Sequence, residues 1–289
     1  MSNKKLIKKA LRFQRMMKIF IRVQTLKAKT IGTKRFIDTS YGKIKVLEYG
    51  FDSPQAAPLF VDMHSAGFVL GSAEMDDQMC RYFNAKTGVK IINIDYPKSP
   101  KNQFPIAIEA AYEVILHYVN NDKEYKIDIA SVGVGGHSAG GNMAAALCLK
   151  AKELGELSFK YQILDYPPLD ITIDPYERVS PQGAISPKMM EMFNVSYLGE
   201  DWKNQNSIYA SPILASQSGL AGLPPALIIV AGRDSLHDDG VRYAELLRKA
   251  GVYVELRDFK DSFHGFTYNK TPDAKEGRDV IVEFLKRHI

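Results

Sequence analysis

Short apolar runs alternate with amphipathic helical patterns along the chain from residue 43 onward. The apolar runs have the length of buried strands and lie at 43–50, 57–65, 90–97, 127–134, 159–167, 225–234 and 252–259. The helical patterns cover 105–119, 140–154, 240–251 and 280–289. The first run alternates as an edge strand does, and the others are typical of strands buried on both faces. This order predicts an α/β fold, with a mostly parallel central sheet and helices on both faces.

The regular alternation is interrupted between about residues 168 and 215. This stretch is rich in proline and aromatic residues and contains one short helical piece around 189–193. A long insertion within a compact α/β core is typically functional, and often a lid over a site. We therefore expect one α/β domain over 43–289 that carries an insertion at about 168–215.

The segment 1–42 differs from the rest of the chain in charge. Residues 1–35 contain about twelve Lys and Arg and no acidic residue, so the formal net charge of +5 hides a remainder near −7. On a helix, one apolar face would collect Leu6, Ala10, Phe13, Met17, Phe20 and Ile21. Two interpretations stay open: a helix that packs over the domain, and reversible docking on an anionic membrane surface.

Several other classes of protein are disfavoured by the same sequence. No apolar run reaches the roughly 18 residues of a membrane span, and no secretory signal pattern follows the basic start. Basic and aromatic residues do not interleave as they do in nucleic-acid-binding proteins, so we expect no nucleic-acid partner. The two cysteines, Cys80 and Cys148, form no CxxC or zinc-type spacing. We therefore expect core cysteines, no metal, and a cytoplasmic location.

Three polar residues follow predicted strands in an order that indicates nucleophilic catalysis. Ser138 lies in GHSAG after the 127–134 run, Asp234 ends the 225–234 run just after its apolar part at 225–232, and His264 follows the last run. GxSxG between a strand and a helix exposes the serine, and the order Ser, acid, His is that of α/β-hydrolases. A nucleotide-binding loop is disfavoured, because neither GxGxxG in register nor GxxxxGK[ST] occurs.

Neighbouring candidates for the same roles are weaker. His137 adjoins the serine, but adjacent strand residues point to opposite sides, so a local hydrogen-bonding role is expected. Asp261 precedes His264 on the same loop and is expected to shape the turn. Asp238 and Asp239 match the first turn of a helix, where acidic residues complement the helix dipole. Acyl transfer also needs backbone N–H groups at the oxyanion, one of them at Ala139.

The chain resembles the hormone-sensitive-lipase family of α/β-hydrolases from about residue 58 to 267. HSAGFVLGS corresponds to the family's HGGGF loop, GHSAGGN to its GDSAGGN elbow, and the stretch ending in HGF to its C-terminal half. The resemblance implies a triad of Ser138, Asp234 and His264. It also implies oxyanion-hole amides at Ala66, Gly67 and Ala139, and no cofactor. It further implies a helical cap built from the N-terminal segment 1–42 and the insertion.

The resemblance predicts an apolar acyl pocket and shows two departures from the family pattern. Substrate-binding side chains are expected at Phe68, Met189, Phe193, Tyr197 and Phe266, with Met190, Met192 and Trp202 also lining the pocket. Ser65 and Ala66 replace glycines, which should remove the freedom to adopt positive φ and narrow the acyl site. His137 replaces the usual aspartate, and the sequence does not explain why.

Together these features predict a serine carboxylesterase that acts on short-chain acyl esters, with a small-molecule ester as its partner. An amidase or arylformamidase could use the same machinery, and a non-catalytic ligand-binding receptor could use the same scaffold. The sequence leaves open the physiological ester, the acyl-chain limit and the oligomeric state, including a homodimer.

Overall fold

The computed structural model describes residues 2–25, 30–199, 202 and 204–289. Its strands are β1 Thr33–Thr39, β2 Gly42–Tyr49, β3 Ala57–Met63, β4 Lys90–Asp95, β5 Ile127–His137, β6 Tyr161–Asp165, β7 Ala226–Ala231 and β8 Val254–Phe259. Its α-helices are α1 Asn3–Thr25, α2 Asp77–Thr87, α3 Ile106–Asn120, α4 Asp122–Tyr125, α5 Ala139–Leu154, α6 Pro187–Leu198, α7 Gln217–Leu220, α8 His237–Lys249 and α9 Pro272–His288. Short 3₁₀ turns lie at 73–75, 212–214 and 266–268.

The strands form one mostly parallel sheet in the order β1-β2-β4-β3-β5-β6-β7-β8. Strands β3 to β8 are parallel to one another, while β2 is antiparallel to both β1 and β4. The central strands β3 to β7 are buried almost throughout, as their continuous apolar runs predict.

Helices cover both faces of the sheet. Side chains of α3, α5 and α8 share one apolar core with one face of the strands, and those of α2 and α9 share a second core with the other face. The prediction of an α/β fold is therefore confirmed. Both cysteines are buried and unpaired within these layers. None of the helices in the described part of the chain has the length and apolar character needed to cross a bilayer.

The prediction that the run at 43–50 is an edge strand is wrong. The run at 43–50 forms β2, which lies inside the sheet, and the edge strand is β1, which the sequence pattern did not reveal. In β1 only Ile37 is buried, so the alternation that marks a half-buried strand is absent. The predicted boundary after residue 42 cuts the hairpin that joins β1 to β2, and residues 33–39 belong to the sheet.

Candidate active site

A cavity of about 310 Å³ opens at the carboxyl ends of the parallel strands. Polar ligand sites gather at this edge in α/β folds, because loops from several strands converge there. The walls come from α1, the loop after β3, the start of α5, the insertion with α6, and the loops after β7 and β8. Its lining includes Phe13, Ser65, Ala66, Gly67, Phe68, Leu70, Ser138, Pro168, Asp170, Ile171, Arg178, Ile185, Met189, Met190, Phe193, Asn194, Leu236 and His264.

Ser138 occupies a sharp turn between β5 and α5. Its φ is 52°, in the left-handed region that a residue with a side chain rarely adopts. A Cβ at Gly140 would lie 1.9 Å from the carbonyl oxygen of Met63, and one at Gly136 would lie 2.5 Å from the carbonyl carbon of Gly140. The two glycines of GxSxG are therefore required by close packing of strand against helix, and the turn presents the serine to the cavity.

Ser138, His264 and Asp234 come together in the geometry of a catalytic triad. Nε2 of His264 lies 2.9 Å from Oγ of Ser138, and Nδ1 lies 2.6 Å from Oδ2 of Asp234. A carboxylate only accepts, so Nδ1 carries the proton and Nε2 is left to accept from the serine hydroxyl. Asp234 is buried, and its other oxygen accepts the N–H of Leu236 at 3.2 Å. Asp261, by contrast, is exposed.

The loop after β3 lines the same cavity as Ser138. Ala66 and Gly67 both line the cavity, with φ values of 89° and 63°. The expectation that a Cβ would keep Ala66 from positive φ is wrong, because the loop imposes that conformation on alanine. The hydroxyl of Tyr96 supports the loop from behind, donating to the carbonyl of His64 at 3.0 Å. The N–H of Ala139 lies in the first turn of α5, where no intrahelical acceptor exists.

Four of the apolar side chains expected in the pocket line the cavity. These are Phe68, Met189, Met190 and Phe193. Phe193 packs directly on the loop that carries the amides, since a Cβ at Gly67 would lie 2.5 Å from its ring. The side of α6 that carries Met189, Met190 and Phe193 therefore forms one wall of the cavity.

The other expected pocket residues lie elsewhere, which corrects the sequence-based assignment. Tyr197 lies one turn beyond Phe193 on α6 and stacks on Phe68, with ring centroids 3.8 Å apart. Phe266 is buried in the core shared with α9. Met192 is buried on a different side of α6, facing α1, and Trp202 packs against the core. The helical period determines which side chains share one face of α6. The sequence does not indicate which of these faces is turned towards the cavity.

Helix α1 contacts the loop that carries the amides. Leu6 and Ala10 are buried against α6, and Phe13 lines the cavity. The side-chain amide of Gln14 donates to the carbonyl oxygens of Val69 and Ser99, both at 2.5 Å. The apolar face predicted for this helix therefore packs against the protein as far as Phe13. The remaining members of that face, Met17, Phe20 and Ile21, have side chains outside the described part of the structure.

A buried ion pair that holds the insertion against α8 was not predicted from the sequence. Asp239, predicted only to complement a helix dipole, is buried on α8 and pairs with Arg178 of the insertion, Nη1 to Oδ1 at 2.8 Å. Its other oxygen accepts the N–H groups of Leu169 and Asp170 at 3.0 and 3.1 Å. Its neighbour Asp238 is exposed in the first turn of α8, where the sequence analysis expected it to complement the helix dipole. The pattern DD at a helix start contains no signal that separates the two.

His137 lies in a buried polar cluster beneath the nucleophile. Its Nδ1 is 2.6 Å from Oδ2 of Asp165, and its Nε2 is 3.7 Å from Oδ1 of Asp62. Burial raises the pKa of Asp62 to about 6, and burial together with the charge of Asp62 raises the pKa of Asp76 well above its usual value. Burial lowers the pKa of His137, but the hydrogen bond and charge of Asp165 outweigh it and the net shift is upward. Asp62, Asp76 and His137 are the one group in the described residues whose ligand atoms lie close enough to hold a metal ion.

Comparison with known proteins places the chain in a family. The family model described as alpha/beta hydrolase fold matches residues 60–268. Esterase LipI of Mycobacterium tuberculosis is 32% identical over 73% of this chain and 66% of its own length. Carboxylic ester hydrolase LipN of the same organism is 32% identical over 86% of this chain and 68% of its own length. The chain thus spans about two thirds of the length of these curated relatives.

Solved structures agree with this placement. EstE1, a thermostable carboxylesterase from a metagenomic library, superimposes with a TM-score of 0.87 at 27% identity, over 96% of this chain and 97% of its own. A thermostable esterase from Pseudomonas putida gives a TM-score of 0.83 at 30% identity, over 100% and 90%. The fold and the family match define an α/β-hydrolase. The chain belongs to the hormone-sensitive-lipase-like family of α/β-hydrolases, and the class of enzyme is carboxylic ester hydrolase.

Proposed function

We propose that the protein is a serine carboxylesterase that hydrolyses short-chain acyl esters through an acyl-enzyme intermediate. The observation that carries this proposal is the line of hydrogen-bonding atoms from Ser138 Oγ to His264 Nε2, at 2.9 Å, and from His264 Nδ1 to Asp234, at 2.6 Å, at the wall of the cavity. A base within about 3.2 Å of a nucleophile, itself oriented by a buried acid, is the arrangement that activates a serine.

In the proposed reaction each of these residues has its own role. His264 accepts the proton of Ser138 as Oγ attacks the ester carbonyl, and Asp234 stabilises the imidazolium that forms. The imidazolium then gives the proton to the departing alkoxide, which leaves as the alcohol. Water attacks the acyl-enzyme with His264 again as base, and Ser138 is released with the carboxylic acid.

Charge on the carbonyl oxygen needs donors that are in place before the reaction begins. We assign the oxyanion hole to the N–H groups of Ala66, Gly67 and Ala139. The first two line the cavity on one side of Ser138, and the third opens the helix that follows it. Removing one such donor typically costs about 10²- to 10³-fold in kcat, so this assignment has a measurable consequence.

The size of the cavity supports a small substrate. Its volume of about 310 Å³ lies at the lower end of the range of small-molecule sites, roughly 300–1,000 Å³. Phe68, Phe193 and Met189 occupy its walls, so the space left for an acyl chain is short. We assign α1 and the insertion at 168–215 to a cap, since both contribute side chains to the wall facing the serine.

The central experiment measures turnover of p-nitrophenyl esters with acyl chains from two to twelve carbons. We expect the highest kcat/KM at two to four carbons, and Ser138→Ala should abolish turnover and labelling by a fluorophosphonate probe. Wild-type activity in Ser138→Ala would overturn the assignment. A preference for matched arylformamides would instead indicate an amidase, and an unlabelled wild-type protein would favour a ligand-binding receptor.

Contact with anionic membranes through α1 is a separate proposal. Lys4, Lys5, Lys8, Lys9 and Arg12 are all exposed on this helix, whereas Leu6 and Ala10 are buried. Each such charge near an anionic surface contributes about 1 kcal/mol. Cosedimentation with anionic vesicles should therefore decrease when these five are changed to glutamine, and unchanged cosedimentation would contradict the proposal. A homodimer and a cytoplasmic location stay predictions from the sequence.

A further inference from the structure

A buried hydrogen-bonded group links the nucleophile to the histidine loop without touching the cavity. Oδ2 of Asp165, at the end of β6, accepts from Nδ1 of His137 at 2.6 Å and from Oγ1 of Thr267 at 2.8 Å. All three side chains are buried, and none lines the cavity. His137 directly precedes Ser138, and Thr267 follows His264 by three residues. We call His137, Asp165 and Thr267 the tether.

The backbone of Asp165 also holds the nucleophile itself. Its carbonyl oxygen accepts the N–H of Ser138 at 2.8 Å, which secures the strained turn at φ 52°. One residue thus joins the serine turn through its carbonyl and the histidine loop through its carboxylate. A displacement of Asp165 would therefore move Ser138 relative to His264.

Tyr166 makes a second connection to the histidine loop. Its hydroxyl lies 2.6 Å from Oγ1 of Thr267, and its ring meets the imidazole of His264 edge-on, with centroids 4.9 Å apart. Since Thr267 donates its one proton to Asp165, the Tyr166 hydroxyl donates to Thr267. The donor order is then Tyr166 to Thr267 to Asp165, and every hydroxyl in it has a fixed direction.

The carboxyl group of Asp165 is fully buried, so it depends on hydrogen-bond donors within the protein. A buried carboxylate is costly unless it is paired and hydrogen-bonded. His137 is the partner in place, with Nδ1 on the carboxylate and its ring against Tyr268 at a centroid distance of 5.5 Å. This contact gives the histidine of GHSAGG a role that its neighbours in sequence do not reveal.

We propose that His137 and Thr267 are positioning residues, which act through Asp165 to hold His264 at hydrogen-bonding distance from Ser138. The proposal rests on the proposed function, because it concerns the geometry of that triad. The tether changes the rate of the chemical step and leaves substrate binding unaffected, because it lies behind the reacting groups and outside the cavity.

The test compares Thr267→Val with Thr267→Ser. Valine keeps the volume and removes the donor to Asp165, whereas serine keeps the hydroxyl and loses only a methyl group. We expect Thr267→Val to lower kcat about 10- to 100-fold with KM within about twofold, because small misplacements of catalytic groups have effects of that size. Thr267→Ser should restore kcat to within about threefold, and the rate of fluorophosphonate labelling should follow kcat in both variants.

A second pair examines His137. Asparagine can place an amide donor where Nδ1 lies, and leucine cannot, so His137→Asn should retain more kcat than His137→Leu at similar KM. His137→Leu leaves the buried Asp165 with Thr267 as its donor but without the histidine, so this variant is expected to unfold more readily. If it does not fold, the Thr267 pair carries the conclusion. Circular dichroism and thermal melting identify folded variants.

Two outcomes overturn the proposal. If folded Thr267→Val keeps wild-type kcat, or if Thr267→Ser loses as much kcat as Thr267→Val, the tether does not position the triad. These outcomes leave the esterase assignment intact, because the wild-type protein still turns over ester and is labelled at Ser138. A wild-type protein that neither turns over ester nor is labelled overturns the proposed function, and this inference with it.

Discussion

Ala66 stores backbone strain that glycine would relieve. Its φ of 89° lies in a region that costs a residue with a Cβ about 1–3 kcal/mol. Ala66→Gly removes that cost. Glycine also gains freedom in the unfolded chain, which opposes the effect by about 0.4–1 kcal/mol. The difference predicts that the variant is more stable than the parent by about 0.5–2 kcal/mol, so the strain term exceeds the entropy term.

Urea and thermal unfolding measure this difference directly. For a chain of this length, 1 kcal/mol moves Tm by about 2 °C, so we expect a rise of roughly 1–4 °C. Ala85→Gly is the matched control, because the same atoms are removed from an exposed position of α2. That control should lose up to about 1 kcal/mol, since glycine weakens a helix.

The sign of the change decides whether the strain argument holds. If Ala66→Gly is destabilised as much as Ala85→Gly, the positive φ at Ala66 costs nothing and the reasoning is refuted. Activity on small esters should be retained in Ala66→Gly, because the N–H groups assigned to the oxyanion hole remain.

Three further predictions, the first with a control variant, concern the packing behind the serine, a buried carboxyl group and the acyl pocket. Gly140→Ala would put a Cβ 1.9 Å from the Met63 carbonyl oxygen, so we expect a thermal melt to show loss of folded protein. The control Gly155→Ala meets open space and should lower the free energy of unfolding by only about 1–2 kcal/mol, because its φ is 70°. Equal losses in the two variants would contradict this prediction. Burial raises the pKa of Asp62 to about 6 in the folded protein, compared with about 3.9 in the unfolded chain. Protonated Asp62 therefore stabilises the fold fully below about pH 4, and this contribution is lost as the pH rises through about 6. Asp62→Asn should therefore gain unfolding free energy relative to the parent between pH 4 and 6 in urea titrations, and a pH-independent difference would argue against the shift. Phe193→Ala should enlarge the pocket, so that the preferred acyl chain becomes longer. For each added methylene group, kcat/KM relative to the parent should rise by up to about fourfold. An unchanged chain-length profile would exclude Phe193 from the pocket.

Much of the fold follows from local pattern, because burial on both faces leaves a continuous apolar run. The strands from β3 to β8 and the helices α3, α5 and α8 lie within a few residues of their predicted places. The edge strand β1 has one buried side chain and therefore no such pattern. Its place is decided by pairing with β2, which is a tertiary contact.

The candidate triad could be located from the sequence because its members follow strand ends. Carboxyl ends of parallel strands converge, so order and spacing alone place Ser138, Asp234 and His264 at one edge. The sequence did not determine in which direction the side chains of α6 point. Tyr197 was therefore expected to line the cavity, whereas it stacks on Phe68.

What the sequence determined by itself was the period of each element and the chemistry at the strand ends, since both depend on neighbouring residues. Contacts between distant residues were decided only by the tertiary structure. The carboxylate of Asp165 meets the hydroxyl of Thr267 across 102 positions, and the loop after β3 imposes a positive φ on Ala66. His137 shows the difference most clearly, because a buried carboxylate from another strand makes a histidine favourable beside the serine, and no residue near it in the chain carries that information.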